Sequence, residues 1–117
     1  MDKLTKGKKG EGLALDYLRK RDYIILETNY RNKIGEIDII AIEGEVLVFI
    51  EVKSRTSTSF GRAYEAVNFH KQRKIINTSL IYLRDKGLND FQLRYDIIEV
   101  YMTNRLKINH IKDAFCL

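Results

Sequence analysis

With 117 residues, 44% of them hydrophobic and 32% charged, the chain is long enough for one hydrophobic core and too apolar to stay disordered. No apolar run approaches the roughly 20 residues of a membrane span, and the polar N-terminus holds no apolar signal segment. The single cysteine, Cys116, excludes an internal disulfide and a multi-cysteine zinc site, so a cytoplasmic protein is expected. The formal charge of +5 is unevenly spread: residues 34–52 hold five acids and no base, and residues 53–86 hold eight bases against two acids. Cations are drawn to the first kind of segment and phosphate backbones to the second.

There is no proline, linker or internal repeat, so residues 1–117 read as one domain. The first helix is expected over 11–21, with Glu11, Ala14, Leu15 and Leu18 on one face. Its approach, through Gly7, Gly10 and Gly12, should fray or bend. A strand follows over 23–30, then two strong ones over 34–43 and 46–53. Ser54–Gly61 reads as a hydroxyl-rich loop carrying Arg55. A long helix runs from Asn68 as N-cap to Lys86, stopped by Gly87, with Ile75, Ile76, Leu80 and Leu83 as its apolar face. Strands over 92–101 and 106–111 complete the chain. Helix, three strands, helix, two strands is an α/β order, and it predicts a mixed sheet flanked by helices.

The two central strands form a hairpin if Gly44-Glu45 is the turn, and facing residue numbers then sum to 89. One face pairs Ile37 with Val52, Ile39 with Ile50 and Ala41 with Val48. The other pairs Ile42 with Leu47, Ile40 with Phe49, Asp38 with Glu51 and Glu36 with Lys53. A one-residue slip would scramble both faces, which is the argument for this register. Asp38 and Glu51 then meet with Cβ atoms about 5 Å apart. Two carboxylates so placed repel by roughly 3 kcal/mol at an effective dielectric of ~20. A hard divalent cation explains the pair, since Mg²⁺ seeks one or two carboxylates plus waters. Lys53, two residues beyond Glu51, reaches the same region. The plain structural alternative is an ion-pair cluster in which Lys53 neutralises the acids.

Gly35-Glu36-Ile37-Asp38, twelve intervening residues, and Glu51-Val52-Lys53 resemble the D…E-x-K core of the restriction-endonuclease-like, PD-(D/E)XK, nuclease superfamily. Gly10-Glu11, Asn29, Phe49 to Arg55, Gly61, Lys71 and Arg94-Tyr95-Asp96 stand in order around that core. Together they resemble the small bacterial YraN-like family, similar to archaeal Holliday-junction resolvases. The resemblance implies a metal-dependent endonuclease for DNA phosphodiesters, with Mg²⁺ or Mn²⁺ held by Asp38, Glu51 and the Val52 carbonyl. It implies Lys53 as the catalytic lysine and Glu11 as the acid on the first helix. It also implies dimerisation, because cutting two strands takes two sites. The usual proline before the first aspartate is Ile37 here, a position that varies among related resolvases.

For Glu11 the bland alternative is a first-turn acid at a helix N-terminus. For Asp96 the structural reading, a pair with Arg94, is favoured. Lys71, Arg73 and Lys74 open the long helix, where a solvated helix start competes with phosphate binding. Arg55 and Arg62 flank hydroxyl residues that would follow a sugar-phosphate backbone. His70 and His110 stand alone in sequence, and the seven tyrosines read mostly as core and rim packing, with base stacking as the alternative for Tyr30 and Tyr64. DNA is the expected partner, although the residues do not separate DNA from RNA, and no membrane partner is expected. The rival to the enzyme is a nucleic-acid-binding module of the same fold.

Overall fold

The first helix, α1 (Lys3–Arg19), starts eight residues before the expected Glu11 and runs straight through the three glycines. Gly10 explains part of this, because a Cβ there would sit 1.9 Å from the Ser54 hydroxyl oxygen. Only a glycine lets the helix lie so close to the strand it crosses. The helix ends where Asp22 takes a left-handed conformation, φ 66, and Tyr23 N–H bonds back to the Leu18 carbonyl. The computed structural model describes the backbone of residues 3–55 and 67–117, with side chains from residue 7 onward. Thr56–Ser59, Gly61, Arg62 and Tyr64, all named above, lie outside the described residues.

The five strands are β1 (Ile24–Arg31), β2 (Glu36–Glu43), β3 (Val46–Arg55), β4 (Gln92–Met102) and β5 (Leu106–Phe115). They form one sheet in the order β1-β2-β3-β4-β5. Neighbours are antiparallel except β3 and β4, which are parallel. A parallel step needs a crossover, and α2 (Phe69–Lys86) lies on it. The fold is therefore α/β, a mixed sheet flanked by helices. Among the described residues no helix is long and apolar enough to cross a membrane.

The hairpin register holds as expected from the turn as far as Ile39 and Ile50. Ile39 faces Ile50, Ile40 faces Phe49, Ala41 faces Val48 and Ile42 faces Leu47. The turn is two residues long, between Glu43 and Val46, and Gly44 takes the left-handed position at φ 61. Alternation then separates two cores. Ile39, Ala41, Val48 and Ile50 pack with Ala14 and Leu18 of α1, while Ile40, Leu47 and Phe49 pack with Ile75, Ile76 and Leu83 of α2. Ile37 departs from expectation and joins the α2 side. Its β1 partner is Tyr30, the preceding Asn29 has φ 51, and pairing of β2 with β3 stops at Ile39, so strict alternation does not extend to Ile37.

Helix α2 has both expected ends. The Asn68 side chain accepts the Lys71 N–H, and Gly87 at φ 65 donates to the Leu83 carbonyl. Its face differs at one position, because Leu80 is 43% exposed. Ser79 and Tyr82 fill that place. The Ser79 hydroxyl reaches the Ile76 carbonyl and the Tyr95 hydroxyl, both at 2.6 Å, and Leu80 is left at the edge of the stripe. Ser54 and Arg55 continue β3 rather than opening a loop. Strand β5 also runs four residues beyond the expected Ile111. Asp113 bulges at φ 56, which brings Phe115 back to stack on Tyr95 with centroids 5.4 Å apart.

Candidate active site

Pairing of β2 with β3 ends at Ile39 and Ile50, and the acidic residues lie just past that point. The Asp38 carboxylate accepts the Val52 N–H at 2.8 Å, and the Glu51 carboxylate lies beside it. Glu51 is only 6% exposed. Burial first, and then the hydrogen bond and charge of Glu51, push the Asp38 carboxyl up to about 8. The two acids lie close together just past the end of the paired register, and their proximity is electrostatically unfavourable.

Two ammonium groups meet Glu51 through the same oxygen. Lys71 Nζ lies 2.5 Å from Oε2 and Lys53 Nζ 3.7 Å from it. Burial pulls both lysines down. For Lys71 the hydrogen bond and charge of Glu51 outweigh burial and hold it above the ordinary value. Lys53 stays below its ordinary value, because burial is joined by the neighbouring Lys71 ammonium. Glu36 does not face Lys53 as expected. It pairs with Arg31 across β1 and β2 at 2.8 Å, since β2 has already left β3.

These groups line a cleft of about 720 Å³, shared by Asp38, Glu51, Val52, Lys53, Lys71 and Lys74 with Arg31, Lys33, Glu36 and His70. Acids thus form one part of the wall and cations another. Arg31 and Lys33 were not anticipated from sequence. They flank Asn32 in the turn between β1 and β2, which the Asn32 side chain holds by accepting the Ile34 N–H and donating to the Thr78 carbonyl. Gly35 lets that turn dock on α2, because a Cβ would lie 3.0 Å from the Thr78 hydroxyl. A glycine in a tight turn just before the acidic strand was the available signal.

Glu11 does not line the cleft, yet burial, Glu36 and Glu51 all raise its carboxyl above the usual value. The contact of Gly10 with Ser54 brings it into that field. Arg73 is exposed and outside the cleft wall. The Arg55 guanidinium donates to Glu99, itself 1% exposed, at 3.3 Å. Arg62 falls outside the described residues. Among the described residues no group of three or more His, Cys, Asp or Glu side chains is set to hold a metal. The candidate ligand set is two carboxylates and a backbone carbonyl, which suits a hard cation that keeps its waters.

A second polar cluster stands apart from the cleft. Asp96, fully buried, accepts two hydrogen bonds from Arg94 at 2.9 Å and the Asp113 N–H at 3.0 Å. His110 Nε2 lies 2.7 Å from its other side, and His110 Nδ1 is 2.9 Å from the Tyr17 hydroxyl. Arg94 also reaches Glu43 and Tyr23. The Arg94–Asp96 pair was expected, whereas the partners of His110 were not.

A sequence profile described as Uncharacterised protein family UPF0102 matches residues 10–100. The chain belongs to that family. This is the YraN-like family to which the motifs point. A UPF0102 protein of Caldanaerobacter subterraneus subsp. tengcongensis is 47% identical, with 98% of each chain covered. One from Clostridium beijerinckii is 47% identical over 100% of this chain and 99% of its own. One from Clostridioides difficile is 46% identical over 98% of this chain and 100% of its own. The UPF0102 match begins at the Gly10 contact with Ser54 and includes Asp38, Glu51, Lys53 and Lys71.

Proposed function

We propose that this UPF0102 protein is a restriction-endonuclease-like enzyme, dependent on Mg²⁺ or Mn²⁺, that hydrolyses DNA phosphodiester bonds. The observation that carries the reading is the adjacent acids Asp38 and Glu51 in a cleft otherwise rich in cations. Folding alone gives no reason to bury two acids against each other. Asp38, Glu51 and the Val52 carbonyl would hold the cation, leaving its other positions to water. A bound divalent ion supplies positive charge at phosphoryl oxygens and makes water more acidic.

The remaining steps belong to the chain itself. Lys53 sets a compact positive charge beside Glu51, where it would offset charge developing on the phosphoryl group. Arg31, Lys33 and Lys74 on the cleft wall would fix the sugar-phosphate backbone without reading sequence. Glu11 adds negative potential from α1 and would anchor a water of the cation. A cytoplasmic location and a homodimer accompany this proposal, the second so that two strands are cut.

A binding module without cleavage is the second reading. It is favoured by the contact of Lys71 with Glu51, which already compensates the acid in a protein that never binds metal. The test is incubation with labelled branched and linear DNAs and a matching RNA, in Mg²⁺, Mn²⁺ or EDTA. Metal-dependent cutting of DNA is expected. Lys53→Ala should lose about 100- to 1,000-fold in single-turnover rate, with DNA binding within a few-fold of the parent. A parent that binds the panel and cuts nothing would establish the module instead.

A further inference from the structure

Lys71 holds the closest contact in the cleft, and it comes from a different element than the acid it touches. Its Nζ lies 2.5 Å from Glu51 Oε2, and a divalent cation on Glu51 would have to share that oxygen with a positive charge. The two cannot both stay at contact distance, because like charges at that separation repel strongly even when partly solvated. Something must move, and the two lysines differ in how easily they can. Lys53 sits on β3 only two residues from Glu51, and its side chain is 24% exposed. Lys71 is anchored at its backbone, where its N–H is held by Asn68, but its side chain is 44% exposed. Its flexible stem can therefore swing while α2 stays in place. Lys71 and Lys74 line one cleft with Arg31 and Lys33, so an ammonium leaving Glu51 stays among the groups suited to phosphate.

We propose that Lys71 is an exchangeable counter-ion. It holds Glu51 until a divalent cation takes its place, and then binds substrate phosphate. The proposal rests on the nuclease reading for its cation and its phosphate. Two consequences follow from linkage. Metal and DNA should each strengthen the binding of the other, by the same factor. That coupling should pass through Lys71 and not through the general positive field of the cleft.

The experiment is calorimetric titration of the whole chain with Mn²⁺ alone, and again with a short DNA duplex in EDTA-treated buffer. Lys71→Met keeps the stem and removes the charge, and should bind Mn²⁺ about tenfold more tightly than the parent. Lys74→Met removes a charge from the same wall that is not bonded to Glu51, and should change Mn²⁺ affinity less than about threefold. DNA should raise the Mn²⁺ affinity of the parent and of Lys74→Met, but not that of Lys71→Met. Equal effects of the two substitutions, or an unchanged Mn²⁺ affinity in Lys71→Met, would overturn the exchange.

A measurement on the parent guards against a variant that folds poorly. With ¹⁵N-lysine labelling, the Lys71 ammonium resonance of the ion pair should shift or vanish on saturation with Mg²⁺. Its persistence unchanged would also overturn the proposal, as would a parent that binds neither ion. Neither readout uses cleavage. A protein that exchanges Lys71 for Mn²⁺ and cuts nothing would overturn the nuclease reading alone.

Discussion

Asp38 and Asp96 are both aspartates on central strands of one sheet, and their surroundings drive them in opposite directions. Asp96 meets Arg94, His110 and the Asp113 N–H. Burial works to raise its carboxyl, but these partners, His110 first, hold it below the usual range. Asp38 meets another carboxylate, and burial and Glu51 push it up to about 8. Every lone pair of Asp96 is answered from within the protein, so its network closes on itself. The acids of the cleft are answered by the Val52 N–H and by two lysine side chains, of which Lys71 is 44% exposed and free to exchange. A buried charge closed in by fixed partners stiffens the fold, whereas two acids forced together in a cleft with a mobile counter-ion point to something bound.

The harshest way to break this comparison is to treat both aspartates alike. Asp96→Ala leaves Arg94 and His110 buried without their acid, and should cost about 3–5 kcal/mol of stability. Urea unfolding followed by circular dichroism checks it. A loss below about 1 kcal/mol would show that the network is not a structural clamp. Asp38→Asn should act in the other direction. The amide still accepts from Val52 and now donates to Glu51, so the repulsion goes and the shape stays. A gain of roughly 1–3 kcal/mol is expected above pH 8 without metal. Saturating Mn²⁺ at about 100 times Kd should stabilise the parent by about 2.7 kcal/mol and Asp38→Asn much less. A destabilised Asp38→Asn, together with a parent indifferent to millimolar metal, would make Asp38 an ordinary structural acid.

The pH dependence sharpens the same contrast. Burial and Glu51 push Asp38 up to about 8 in the folded chain, against an ordinary 3.8, so between those limits the native state binds more protons than the unfolded chain. Its contribution is therefore full below pH 4 and is lost as pH rises toward and through 8. For Asp96 the folded value lies below 3.8, so its contribution is present above pH 4 and is lost only in stronger acid. The advantage of Asp38→Asn over the parent should thus be smallest near pH 5 and largest near pH 9. Thermal melts across that range, with EDTA present, give the curve. An advantage that does not vary with pH would mean that Asp38 is not the titrating group.

The acid pair was legible in the sequence because apolar partners on both faces match in a single hairpin register. The caps of α2 were legible because Asn68 and Gly87 each act through local backbone geometry. What the chain order hides is contact between elements. Lys71 read as one of three basic residues opening a helix, and only the packing of α2 on the sheet sets it on Glu51. His110 read as solitary because its partners come from α1 and β4, and because the bulge at Asp113 extends β5 past the point where alternation ends. Leu80 was assigned to the core by periodicity, but the hydrogen bond of Ser79 with Tyr95 takes the middle of that face.

The smallest expected effect concerns the cations beside the two aspartates. Lys74 lines the acidic cleft, whereas Lys112 lies near the closed network and pairs with Glu43 at 3.3 Å. Both are lysines on the same basic protein, so a non-specific charge model predicts the same loss of DNA binding from either. The cleft reading does not. A cation that neutralises one phosphate releases about one counterion, so Lys74→Ala should flatten the plot of log affinity against log salt by about 0.9. Lys112→Ala should leave that slope within error, because its charge is engaged with Glu43 and away from the cleft. Binding of a fluorescent duplex measured from ~50 to ~200 mM salt resolves a difference of that size. Equal slopes for the two variants would mean that DNA meets the protein through its diffuse charge, and the cleft would lose its claim to the phosphate backbone.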